Sequence, residues 1–166
     1  DKTLARMNRH YDTAFYRDLV ERIRKMFPDS AITTDIMVGF AGETEEEFAE
    51  SLAFAKEIGF AKAHIFAYSR REGTVAYGLP NQVTNAVKSE RSKKMIETTL
   101  QTEYAFLDGY LGTTQKVLFE QEQDGFFYGY TENYCRVKVK SQGISTGEIL
   151  AVNITDREND VLIGEI

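Results

Sequence analysis

The 166-residue sequence has one cysteine, two prolines, no tryptophan and no excess of positive charge. Cys135 alone cannot close an internal disulfide, and it cannot ligate zinc or an iron–sulfur centre without further partners. So little proline, with only twelve glycines, excludes collagen-like, proline-rich and low-complexity chains. Long apolar runs are missing as well: stretches such as Ile36-Met37-Val38 and Ile65-Phe66-Ala67 fall far short of the roughly 18 residues that span a bilayer. Asp1, Lys2, Arg6, Arg9 and His10 open the chain with no apolar core behind them, so no secretory signal is legible. The expectation is a cytoplasmic protein with no membrane partner. The net charge is −6, and residues 1–108 carry 15 Lys+Arg against 17 Asp+Glu, residues 109–166 only 5 against 9. A nucleic acid would have to be held by a local basic patch, because the global field repels phosphate.

What is present is an alternation of helix and strand patterns. Phe15, Leu19, Ile23 and Met26 recur three or four residues apart, which predicts an amphipathic helix with Asp12 or Thr13 as its N-cap and Pro28-Asp29 as its stop. Ala31 to Phe40 reads as a buried strand. Thr44-Glu45-Glu46-Glu47 forms a capping box for a helix through Ile58 with Phe48, Leu52, Ala55 and Ile58 on one face. Gly59 ends that helix, and Ala61 to Tyr68 reads as a second buried strand. Short connections of this kind imply a parallel α/β sheet or barrel. The first long helix has no strand before it, so the chain is expected to begin inside a domain. Residues 69–83 are polar and turn-rich, and Thr84 to Leu107 reads as a long connector helix.

From Gly112 the period changes to two. Gln115 to Glu120, Phe126 to Thr131, Tyr134 to Lys140, Gly147 to Ile154 and Asp160 to Ile166 predict a small antiparallel barrel of the kind that binds oligonucleotides. Arg136, Lys138 and Lys140 share one face of their strand, with Cys135, Val137 and Val139 turned to the core. Phe126, Tyr128 and Tyr130 share a face on the strand before. Cations for the backbone and rings for stacking are what a single-stranded RNA surface needs, although Phe126 could equally be core. Arg91, Lys93 and Lys94 read as a solvated face of the long helix. His10 and His64 stand alone and suggest no metal.

Gly39 and Gly42 lie between strand and helix, at the carboxyl end of the sheet where α/β folds bind ligands. They make either a tight turn or a ligand loop. Glu43 beside them disfavours phosphate and suits a neutral or zwitterionic ligand with a hydroxylated sugar. Asp35 interrupts an apolar strand, so it is either paired with a basic residue of the preceding helix or faces a site. Arg9 is either that partner or a ligand group of its own.

Met7-Asn8-Arg9-His10-Tyr11, Thr33-Thr34-Asp35-Ile36-Met37-Val38-Gly39-Phe40-Ala41-Gly42-Glu43-Thr44 and Tyr68-Ser69-Arg70-Arg71-Glu72-Gly73-Thr74 resemble the C-terminal part of the radical S-adenosylmethionine domain of tRNA methylthiotransferases. Gly129-Tyr130-Thr131-Glu132-Asn133-Tyr134 resembles the signature of the TRAM module that ends those enzymes. The closest resemblance is to the threonylcarbamoyladenosine subfamily, with the isopentenyladenosine and ribosomal-protein enzymes as alternatives.

The resemblance implies an α/β fold comprising the C-terminal portion of an open (β/α)6 barrel over residues 1–83, a connector helix over 84–111 and a TRAM, OB-like barrel over 112–166. It implies methylthiolation of C2 of adenosine 37 in tRNA, with S-adenosylmethionine and two 4Fe–4S clusters as cofactors and the anticodon loop as partner. The cluster cysteines of such enzymes, including a Cys-x3-Cys-x2-Cys motif, are not in this sequence, so the chain alone is expected to be inactive. By the same resemblance Arg9 and Asp35 contact S-adenosylmethionine, Gly39, Phe40, Gly42 and Glu43 line its adenosine, and Tyr68 and Ser69 border it. Tyr128, Tyr130, Arg136, Lys138 and Lys140 are the candidate RNA contacts. Ala41 and Arg70 depart from the family, which usually has proline at both positions. Where an earlier barrel strand would pair, an exposed sheet edge is expected to invite association. The module at the end could alternatively dock protein.

Overall fold

A computed structural model describes residues 1–141 and 143–166 and divides them into two compact units, Asp1–Thr102 and Glu103–Ile166. The first unit contains α1 (Lys2–Arg6), α2 (Thr13–Met26), β1 (Thr33–Val38), α3 (Glu45–Ile58), β2 (Lys62–Ala67), a 3-10 turn (Val75–Gly78) and most of α4 (Asn85–Asp108), inside which the boundary falls. Asp12 is the N-cap of α2: its carboxylate accepts from the Phe15 amide at 2.8 Å. Both halves of the Thr44/Glu47 capping box form, and Gly59 closes α3 at φ 63°. β1 and β2 pair in parallel from Thr33 opposite Lys62 to Val38 opposite Ala67. The sheet has these two strands, and among the described residues nothing pairs with the other edge of β1.

Two expectations are corrected here. Neither strand is buried: Thr33 and Asp35 of β1 and Lys62, His64 and Phe66 of β2 are exposed, because the helices cover one face of the sheet only. Helix α2 also turns differently. Tyr16 and Val20 face the core of Val38, Phe48, Ala55, Ile58, Phe60 and Met95, while Phe15 and Met26 stay 60% and 71% exposed. The stripe Phe15-Leu19-Met26 is a second apolar face that no element of this unit covers.

Helix α1 is tied to α3 by a bidentate pair. Arg6 donates to both carboxylate oxygens of Glu47, which also accepts from Thr3 Oγ1 at 3.2 Å and from the Thr44 amide at 3.3 Å. These donors hold the Glu47 carboxyl down at about 2, the Arg6 hydrogen bond being the largest cause.

The second unit is a closed barrel of β3 (Thr114–Gln123), β4 (Phe126–Thr131), β5 (Arg136–Lys140), β6 (Ile149–Glu158) and β7 (Val161–Glu165), ordered β3-β4-β5-β7-β6. This is consistent with a small TRAM-like barrel. It is not wholly antiparallel: β5 and β7 run parallel where the barrel closes. β3 and β6 extend past the runs expected from alternation because each carries a register shift, at Phe119/Gln121 and Ile154/Asp156, that breaks the two-residue period. Val117, Phe119, Phe127, Val137, Val139, Val152, Ile154 and Leu162 fill the interior beside buried Cys135, whose thiol is pushed up by burial. Among the described residues no helix is long and apolar enough to cross a membrane.

Gly129 faces inward, and a Cβ there would sit 2.3 Å from the Leu118 carbonyl oxygen. Gly129→Ala is therefore expected to force β3 and β4 apart and destabilise the barrel by about 2 kcal/mol, read as faster hydrogen exchange of barrel amides. For Glu47 the folded-state value lies below the usual 4.5. Its contribution is thus complete above pH 4.5 and lost as pH falls toward 2. Arg6→Met should lower the melting temperature at neutral pH, and its gap from the parent chain should close over that acid window.

Candidate functional site

The β1–α3 loop is built around a buried carboxylate. Gly39 and Gly42 adopt φ 71° and 77°, left-handed values that fold the chain back so that Glu43 points under the loop. Glu43 Oε1 accepts from the Gly39 amide at 2.9 Å and from Arg91 Nη1 at 2.7 Å, and Arg91 also donates to the Glu43 carbonyl at 3.0 Å and to Glu45 Oε2 at 3.1 Å. Glu43 and Arg91 are 7% and 5% exposed. Burial is the dominant influence and pushes the Glu43 carboxyl up despite these donors. Arg91 is therefore not part of a solvated face: it is the counter-charge that a buried carboxylate requires.

One turn earlier on α4, Lys88 lies across Gly39, where a Cβ would come 2.5 Å from Lys88 Cγ, and its Nζ donates to the Tyr68 carbonyl at 2.8 Å. Phe40 and Tyr68 pack edge to face at 5.0 Å, and the Tyr68 hydroxyl is buried without a hydrogen-bond partner. The Gly42 amide donates to Asn81 O and the Glu43 amide to Phe40 O. The amides of Gly39, Gly42 and Glu43 are thus all engaged within the protein.

The eight residues assigned to S-adenosylmethionine by resemblance separate into groups. Arg9, Asp35 and Glu43 line one cavity of about 580 Å³, with Met37, Glu50 and Phe54 also in its walls. Gly39 and Gly42 form the loop turns, Phe40 and Tyr68 are buried beside it, and Ser69 is exposed. Asp35 stands opposite His64 on the open face of the sheet, and no described side chain pairs with it or with Arg9. The ion pair between Asp35 and α2 that the sequence allowed does not form. Sequence reasoning missed the Arg6–Glu47 and Arg91–Glu43 pairs, whose partners lie 41 and 48 positions apart with no local pattern to link them. Among the described residues no group of His, Cys, Asp and Glu could hold a metal ion.

On the second unit, the β4–β5 register sets Phe126 opposite Lys140, Tyr128 opposite Lys138 and Tyr130 opposite Arg136. All six lie on the outer face, Phe126 included. The Arg136 guanidinium sits 4.7 Å from the Tyr128 ring centre and Lys138 Nζ 5.0 Å from that of Phe126. Lys138 also pairs with Glu158, so its charge is partly neutralised. The strip ends at the hairpin turn, where the Tyr134 amide donates to Thr131 O at 3.0 Å, the Cys135 amide to Thr131 Oγ1 at 2.9 Å, and that hydroxyl to Asn133 Oδ1 at 2.6 Å. Tyr134 itself has φ 63°, so β5 starts at Arg136 and not at Tyr134 as expected.

No family model matches the chain. The chain is 37% identical over 91% of its length to the threonylcarbamoyladenosine tRNA methylthiotransferase MtaB of Bacillus subtilis, of which it covers 35%. It is 35% identical over 99% of its length to a tRNA-2-methylthio-N(6)-dimethylallyladenosine synthase of Clostridium perfringens, covering 38% of that protein. A synthase of the same description from Pelotomaculum thermopropionicum is 37% identical over 93% of the chain, which covers 35% of it. The chain thus spans little more than a third of these relatives. Over nearly all of its own length, it is homologous to tRNA methylthiotransferases.

Proposed function

We propose that this chain is part of a tRNA methylthiotransferase, acting in the cytoplasm on C2 of N6-threonylcarbamoyladenosine at position 37, and that it contributes the later part of a radical S-adenosylmethionine barrel and a TRAM barrel. The observation that carries the RNA half of this reading is the β4–β5 register, which sets each outward ring opposite a cation. A single-stranded anticodon loop needs both, charge along its backbone and flat surfaces for its bases. The domain assignment, 1–83 for the barrel part, 84–111 for the connector and 112–166 for TRAM, belongs to the same proposal.

S-adenosylmethionine carries a zwitterionic amino-acid end and a ribose, and the cavity offers to those groups Arg9 and Asp35, which have no side-chain partner among the described residues. In this reading Arg9 binds the carboxylate, Asp35 accepts from the ammonium or a hydroxyl, and the rigid loop from Gly39 to Glu43 shapes the adenosine side with Phe40, Tyr68 and Ser69. When bound, the cofactor supplies the radical that opens the C2–H bond. The sequence has one cysteine, too few for the thiolate ligands of either 4Fe–4S cluster, and on that ground the chain alone is proposed to be inactive. The free edge of β1 would receive a further parallel strand. The dimethylallyladenosine relatives are as similar as the threonylcarbamoyladenosine one, which keeps isopentenyladenosine 37 as the second substrate reading.

Deleting the gene that encodes the chain should remove 2-methylthio-N6-threonylcarbamoyladenosine from digested tRNA. Loss of the isopentenyl analogue instead would move the substrate, and an unchanged nucleoside profile would sink the function. With the chain itself and an anticodon stem-loop RNA, Arg136→Ala and Lys140→Ala should each flatten the dependence of log affinity on log salt by about one unit. Lys138→Ala should do less, because Glu158 already neutralises it. An unaltered salt slope in the triple variant would remove this face from consideration.

A further inference from the structure

We propose that Tyr134 is a nucleobase-stacking residue, held out by the β4–β5 hairpin turn as a platform for one unpaired base at the Tyr130–Arg136 end of the strip. This rests on the reading of that strip as an RNA surface and adds a contact to it. Tyr134 is 86% exposed, the most exposed aromatic ring among the described residues. It contributes nothing to the barrel core, and its ring and hydroxyl have no partner in the described protein. Yet it occupies a backbone position at φ 63°, which glycine or asparagine adopts with less strain than a bulky side chain.

The turn around it is fixed. Its amide is bonded to Thr131 O, the Thr131 hydroxyl bridges Asn133 and the Cys135 amide, and Asn133 donates to the Tyr110 hydroxyl. Cys135, the next residue, is buried in the barrel wall. A ring with only two side-chain torsions on a clamped turn loses little freedom when a flat partner covers it. Strain accepted for an exposed ring points to a ligand. Tyr130 and Arg136, paired across the ladder beside the turn, identify its chemistry: an unpaired base flanked by phosphates, in a strip that is basic within a chain of net charge −6.

The test uses the full chain with two probes of equal length, an oligoadenylate and an oligonucleotide in which the bases are replaced by abasic sites. Tyr134→Asn should weaken oligoadenylate binding by about tenfold, within the range for one stacked base, and leave abasic binding unchanged. Tyr134→Phe, which keeps the ring, should bind as the parent chain does. The melting temperature of Tyr134→Asn should equal or exceed the parent's, which separates lost stacking from lost folding. If Tyr134→Asn binds oligoadenylate like the parent while Arg136→Ala/Lys140→Ala weakens both probes, the stacking proposal is overturned and the RNA strip stands. If neither variant changes binding, the strip falls and Tyr134 with it. Loss of a protein partner in Tyr134→Asn with oligoadenylate affinity intact would assign the ring to protein docking and also overturn the proposal.

Discussion

A carboxylate taken out of water must be given its charge back, and in the first unit that requirement decides how α4 lies. Glu43 is buried beneath a loop whose two glycines turn it inward, and the Gly39 amide alone does not compensate it. Arg91 completes the set, and with it Lys88 comes down across Gly39 to cap the Tyr68 carbonyl at the end of β2. Loop, both strand ends and helix are therefore one hydrogen-bonded assembly. A buried pair of this kind adds little net stability, since desolvation offsets much of the attraction. Its removal on one side is costly, because the remaining charge has nowhere to go. Its effect is selective: it admits one path for the loop and one rotation of the helix.

The second unit solves a different problem with strand alternation. On β4, Phe127, Gly129 and Thr131 are buried while Phe126, Tyr128 and Tyr130 face out, so one strand supplies both the barrel wall and the aromatic strip. Gly129 lets the Leu118 carbonyl approach where any side chain would block it, and the bulge on β3 between Phe119 and Gln121 lies opposite that glycine. The tight wall fixes the register, and the register puts each ring across from a cation. The aromatic and basic outer face is thus a consequence of how the core closes.

The elements whose signals are local were legible in the sequence. The capping box at Thr44, the glycine stop at 59, the hairpin strand from Phe126 to Thr131 and the parallel pairing all follow from neighbouring residues, and all are present. What failed depended on distant partners. The buried face of α4 runs Lys88-Arg91-Met95-Thr99, so a search for an apolar stripe passes over it: groups from elsewhere in the chain meet its polar ends, the Glu43 and Glu45 carboxylates for Arg91 and the Tyr68 carbonyl for Lys88. The inward face of α2 was misjudged because Phe15, Leu19, Ile23 and Met26 form at least as good a stripe as Tyr16 and Val20, and which face packs depends on what lies beneath. Tyr134 was read as a strand residue because alternation cannot register a left-handed turn.

Net charge is a poor guide to such a surface because charges act over a limited range. At physiological ionic strength the screening length is about 8 Å, so a phosphate near β5 responds to Arg136, Lys138 and Lys140 and to the acids beside them, and barely to any charge farther off than that. Glu158 is one of those neighbours, and its pairing with Lys138 lowers the local field at the centre of the strip. Arg136, stacked on Tyr128, and Lys140, at the exposed end, are left to carry the electrostatic part. A strip so tempered would, on the proposed RNA reading, hold a nucleic acid loosely through its backbone and leave discrimination to the rings. If the strip does meet RNA, the local acid Glu158, and not the overall composition, is what limits the non-specific attraction that an unopposed row of cations would exert on any phosphate chain.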